Sequence, residues 1–104
     1  MARTTAGSES VFRALASRVR REILFHLRDG ELAAGEIASQ FDVAAPTISR
    51  HLGVLKNARL VAERREGNRI LYTAAQERLA TTLTEFVAAV CTPPSRRRRG
   101  KDVR

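Results

Sequence analysis

A small, mostly α-helical domain carrying one β-hairpin is what the sequence predicts, in the order α-α-α-α-β-β-α. Three observations predict it. Apolar residues recur at helical spacing over residues 11–57 and again over 79–90. The period turns strand-like over residues 60–73, around a Gly-Asn pair. And 104 residues, 43% of them hydrophobic and 29% charged, suit one domain with a thin core.

Each element has its own justification. Val11, Phe12 and Leu15 share one face of a short first helix. Ser17 is placed to cap a second helix reaching about Arg28, whose stripe is Val19, Ile23, Leu24 and Leu27. Asp29-Gly30 ends it, because glycine suits the left-handed position after a helix. A short third helix is expected over about Ala33–Gln40, with Ile37 and Phe41 inward. Asp42-Val43-Ala44-Ala45 is long enough only for a tight turn. A fourth helix follows to Asn57, with Pro46 in its first turn, where the missing N–H costs nothing, and Ile48, Leu52 and Leu55 as its buried stripe. Leu60–Arg65 and Arg69–Thr73 read as strands joined by Glu66-Gly67-Asn68. A last helix runs from about Ala75 to Val90, and Pro93-Pro94 stops it. The domain is therefore expected over residues 5–92, and residues 93–104 as a basic disordered tail.

Charge narrows the function. The chain carries a formal net charge of +8, from 19 Lys+Arg against 11 Asp+Glu. Such chains meet polyanions. The run Arg96-Arg97-Arg98-Arg99 reads either as a DNA-binding arm or as a solvated terminus. Met1–Ser10 is polar, unlike a signal peptide, and no apolar run approaches the roughly 20 residues of a membrane span. One cysteine builds no disulfide framework, so a reducing cytoplasm is expected. No G-x-S-x-G, phosphate loop or metal cluster appears, and no enzyme or cofactor is expected.

The third and fourth helices form a helix-turn-helix, and a hairpin directly after makes it winged. At Phe12-Arg13-Ala14-Leu15-Ala16, Arg20-Arg21-Glu22-Ile23-Leu24, Gly35-Glu36-Ile37-Ala38 and Pro46-Thr47-Ile48-Ser49-Arg50-His51-Leu52, the chain resembles the ArsR family of bacterial winged-helix repressors. Val54-Leu55-Lys56, Leu60-Val61 and Arg64-Arg65-Glu66-Gly67 extend the resemblance to about residues 10–91. It implies a homodimer that pairs through the first and last helices and represses transcription from double-stranded operators resembling inverted repeats. The resemblance is to the metal-independent, autorepressor-like branch. Metal-sensing relatives place paired cysteines at the start of the third helix, or His and carboxylates on the last. This chain has no thiol in 31–36 and only Glu77 and Glu85 in 75–91. No metal is expected.

The residues supply a physical basis. Burying the fourth helix's stripe turns Thr47, Ser49, Arg50 and Gly53 outward, where a helix in a major groove meets base edges. Arg50 suits a bidentate contact to guanine, and Thr47 and Ser49 a base or phosphate. His51 divides evenly between phosphate contact and packing. Lys56 and Arg59 suit phosphates. Arg64, Arg65, Asn68 and Arg69 cluster at the hairpin tip, as a wing on the backbone or in a minor groove would require. Arg20 and Arg21 divide between phosphate contact and a solvated helix face. His26 reads as structural. Leu79, Leu83, Phe86, Val87 and Val90, with Leu15, form the expected dimer face; closing the monomer is the alternative. Two rival functions remain: a winged helix used for protein binding, and a redox-responsive repressor acting through Cys91.

Overall fold

The computed structural model describes residues 6–91, so the expected tail and both expected domain limits lie outside the described residues. The elements are α1 (Ala6–Leu15), α2 (Arg18–His26), β1 (Leu32–Ala33), α3 (Ala34–Ala38), α4 (Ala45–Asn57), β2 (Val61–Glu66), β3 (Arg69–Ala74) and α5 (Gln76–Val90). The helices and the hairpin fall in the expected order. The strand β1 is additional and corrects it.

That strand escapes a sequence reading for a physical reason. Two residues cannot show an alternating pattern. Leu32 and Ala33 become a strand only because β3 offers a free edge, pairing antiparallel at Tyr72 and Leu71. The sheet order is β1-β3-β2, which makes β3 central.

Three boundaries also differ. Ser17 does cap α2, its hydroxyl accepting from the Arg20 amide at 3.3 Å. But α2 ends at His26, short of Arg28, and Gly30 with φ +148° belongs to the turn beyond it. The third helix is regular only over Ala34–Ala38. Its last turn tightens, with the Gln40 amide bonding the Ile37 carbonyl and the Phe41 amide the Ala38 carbonyl. Alanine at position 33 has no side-chain acceptor, so only half of a capping box forms: Glu36 Oε1 accepts from the Ala33 amide at 2.7 Å. In the hairpin, Glu66 pairs with Arg69, leaving a two-residue turn of Gly67 and Asn68. Positive φ at Gly67 (+63°) and not at Asn68 is the pattern of a type II′ turn.

The core lies where the periodicity puts it. Ile23, Leu27, Ile37, Ile48, Leu52, Leu55 and Leu60 are all at most 1% exposed. Each large apolar side chain so buried contributes about 1.5–3 kcal/mol. Leu15, Phe41 and Leu79 pack against this cluster from its rim. His26, expected to be structural, lies edge-on to Phe41 with ring centroids 5.6 Å apart. The core therefore fixes α4 by its inner stripe and leaves the opposite face bare. Along β2 it stops at Val61 and every later residue is exposed, while Leu71 of β3 is still buried, so the outer strand of the hairpin is bare.

Candidate nucleic-acid interface

The outer face of α4 is the first part of the site. Ser49, Arg50 and Gly53 are exposed and Thr47 half-buried. The helix starts without a side-chain cap at Ala44, so the Thr47 and Ile48 amides both fall back on the Ala44 carbonyl. Arg50 and Arg59 form no ion pair among the described residues. Arg59 holds the left-handed position after α4 with φ 64°, where the Leu60 amide reaches back to the Leu55 carbonyl. The turn thus exposes Arg59 while burying Leu60.

His51 behaves differently from its neighbours. Its Nδ1 lies 3.1 Å from Nη1 of Arg20, on α2. A guanidinium only donates, so Nδ1 accepts and the ring is neutral. Partial burial and the charges of Arg20 and Arg50 hold its pKa below the usual histidine range. Arg20 also donates through Nε to the Ala14 carbonyl at 2.7 Å and through Nη2 to the Arg13 carbonyl at 3.2 Å. Arg21 Nη1 caps the Leu15 carbonyl at 2.7 Å. The two arginines thus close the C-terminal end of α1, a role the sequence reading did not consider.

Two of the wing's arginines stand beside carboxylates. Arg64 donates to both oxygens of Glu31, at 2.7 and 2.9 Å, and lies 3.6 Å from Glu66. This contact holds the Glu31 carboxyl below the usual range. Arg69 lies 3.6 Å from Glu36. Lys56 Nζ donates to Glu63 at 2.9 Å, tying the end of α4 to the base of the wing and lowering the Glu63 pKa. Arg65 and Asn68 are exposed. The Lys56–Glu63 pair is the side-chain contact that joins α4 to the wing here. The acids Glu31, Glu36 and Glu63 were missed, because each pairs with a cation that only the folded wing brings near.

The expected dimer residues divide. Leu15 and Leu79 pack against the monomer's own core. Leu83, Phe86, Val87 and Val90 stay 36%, 52%, 54% and 60% exposed on α5. Phe86 meets Phe12 of α1 edge-on at 5.2 Å, so the apolar surface runs across both helices. Cys91 is exposed at its end. Among the described residues no three His, Cys, Asp or Glu converge, and no helix is long and apolar enough to cross a membrane.

A half-bare helix behind a short helix and turn, flanked by a basic two-stranded arm, defines a winged helix-turn-helix. The family model for bacterial regulatory proteins of the arsR family matches residues 17–63. The HTH-type transcriptional regulator Rv2034 of Mycobacterium tuberculosis is 40% identical over 83 residues, 80% of this chain and 78% of that one. The transcriptional repressor SdpR of Bacillus subtilis is 41% identical over 64 residues, 62% of this chain and 71% of SdpR. An ArsR-like transcriptional regulator from Rhodococcus sp. RHA1 superposes with a TM-score of 0.76 at 30% identity, over 88% of this chain and 86% of that one. The chain belongs to the ArsR family; it is a DNA-binding transcriptional regulator and not an enzyme.

Proposed function

We propose that the protein is a homodimeric repressor that reads an inverted-repeat operator, with α4 of each copy in a major groove. The observation that carries this reading is the bare outer face of α4, whose far end Lys56 ties to the wing through Glu63. Arg50 reads a guanine, Thr47 and Ser49 reach bases or phosphates, and His51, Lys56 and Arg59 face the backbone. Arg64, Arg65, Asn68 and Arg69 place the wing on the flanking backbone or minor groove, Arg64 and Arg69 exchanging carboxylates for phosphates as they do so.

A second copy covers the apolar face of α1 and α5. Exposed Leu83, Phe86, Val87 and Val90 support this, since burying such side chains is the main source of association energy. Two-fold symmetry then sets the recognition helices about one DNA turn, ~34 Å, apart. The repressor works without a metal, as the absence of thiols in 31–36 and of histidine in 75–91 suggests. The kinship with SdpR, a repressor, supports repression, and control through the protein's own concentration makes it an autorepressor.

The test is binding to DNA from upstream of the protein's own gene, against a scrambled duplex, across a salt series. Specific sites bind about 10³-fold or more tighter than nonspecific ones. A gap of that size, unchanged by a chelator, supports the reading. Equal and steeply salt-dependent binding to both duplexes refutes it, leaving only charge meeting phosphate.

A further inference from the structure

We infer that Arg20 is a positioning residue for DNA reading, acting through its bond to His51 and not through any contact with phosphate. This rests on the reading of α4 as the recognition helix. Nε and Nη2 of Arg20 donate to the carbonyls of Ala14 and Arg13, at the end of α1, and Nη1 to His51 Nδ1, three of the five N–H groups in one plane. A single planar fork therefore joins the end of α1, the start of α2 and the middle of α4.

Two consequences follow. First, α4 is held to the core by Ile48, Leu52 and Leu55, an apolar stripe that fixes depth better than rotation. The Arg20–His51 bond adds a directional restraint next to Arg50, whose guanidinium must meet a base edge within hydrogen-bond geometry. Second, with Nδ1 accepting, the neutral ring carries its proton on Nε2. His51 is thus fixed as a donor at that nitrogen, the polarity a phosphate oxygen needs. The two roles left open for His51 by the sequence, packing and phosphate contact, become two nitrogens of one ring.

The test compares Arg20→Lys and Arg20→Gln in the full chain. Lysine keeps the charge but cannot serve three acceptors in one plane. A phosphate contact survives the change to lysine; a positioning fork does not. The expected result is a similar loss for both variants, about tenfold in operator affinity, with nonspecific affinity and the salt slope unchanged. The His51→Leu variant leaves Arg20 its carbonyl bonds and covers the case in which an Arg20 variant fails to fold. The Arg20→Lys, His51→Leu double variant is then no worse than the worse single one.

Retained affinity in Arg20→Lys, a salt slope reduced by about one in Arg20→Gln, or strictly additive losses would each overturn the inference. A second readout needs no DNA. Long-range ¹⁵N–¹H spectra of the wild type show His51 with an unprotonated, hydrogen-bonded Nδ1, and Arg20→Lys shifts that resonance. An unshifted resonance overturns the contact itself. A wild type with this resonance but without operator preference overturns the DNA reading and with it the consequence for affinity.

Discussion

Arg64 holds Glu31 through Nε and Nη2 of its guanidinium, at 2.7 and 2.9 Å, across 33 residues of sequence. The wing's most prominent cation is thus neutralised by the turn that precedes β1. Both partners are solvent-accessible, so the pair adds little to stability. Its consequence lies in competition: a phosphate that takes Arg64 must displace a carboxylate. Glu31→Gln removes the charge and keeps the shape. Nonspecific DNA affinity should rise and its salt slope steepen by up to about one, since one more cation is available to phosphate. Unchanged affinity and slope in a filter-binding series would show that Arg64 does not reach DNA.

Arg50 is expected to distinguish sequence, where the wing distinguishes only charge. Arg50→Ala should cost the operator about 1–3 kcal/mol, the worth of a bidentate base contact. Loss on a scrambled duplex should be much smaller. Equal losses on both duplexes would make Arg50 a phosphate contact.

Gly53 lies one turn beyond Arg50 on the same bare face, and a methyl group there would meet nothing within 4 Å in the chain. Glycine inside a helix is about 1 kcal/mol worse than alanine, and nothing in the fold requires it. Gly53→Ala should therefore raise the melting temperature. If α4 enters a groove to this depth, the same substitution should weaken operator binding. Tighter folding with unchanged binding would place Gly53 outside the interface.

What was legible from sequence was local. The stripe Ile48, Leu52, Leu55 announces α4 because a helix repeats within a few residues, and Gly67 announces the turn because few residues tolerate its φ. What was not legible depends on chain segments meeting. Arg20 and His51 are 31 residues apart, and no period links them. Glu31 and Glu36 meet Arg64 and Arg69 only once the wing folds beside them. Leu32–Ala33 is a strand only in the presence of β3. The α5 stripe was legible as amphipathic, but the split between Leu79, which closes the monomer, and Leu83 onward, which does not, required the packed core.

That split makes the proposed dimer face separable from the fold. Leu83 is 36% exposed and outside the buried core, so Leu83→Asp should leave the helical content intact. In the dimer it would bury a carboxylate in an apolar seam, which costs several kcal/mol unless paired. Sedimentation or light scattering should report a monomer, and operator affinity should fall with it. A dimeric mass in this variant would exclude the α1–α5 face as the interface.

Acidification should destabilise the protein through His51 at a higher pH than through Glu31 or Glu63. Burial first, then the charges of Arg20 and Arg50, depress its pKa in the folded state. The unfolded chain, with a histidine pKa near ~6.5, then binds the proton more tightly than the native one. Stability is therefore full above about pH 6.5, declines as the pH falls through that value, and levels off once the native ring is also protonated. Protonation puts a hydrogen on Nδ1, opposing two donors across the Arg20 contact. The carboxylates Glu31 and Glu63, whose pKa values are lowered by Arg64 and Lys56, lose their contribution only below the usual carboxylate range. The histidine window therefore opens at a higher pH than the carboxylate one. Thermal melts from about pH 7.5 to about pH 5.5 should show a falling midpoint in the wild type and a flatter one in His51→Leu. Parallel curves for the two would mean that His51 titrates alike in the folded and unfolded chain.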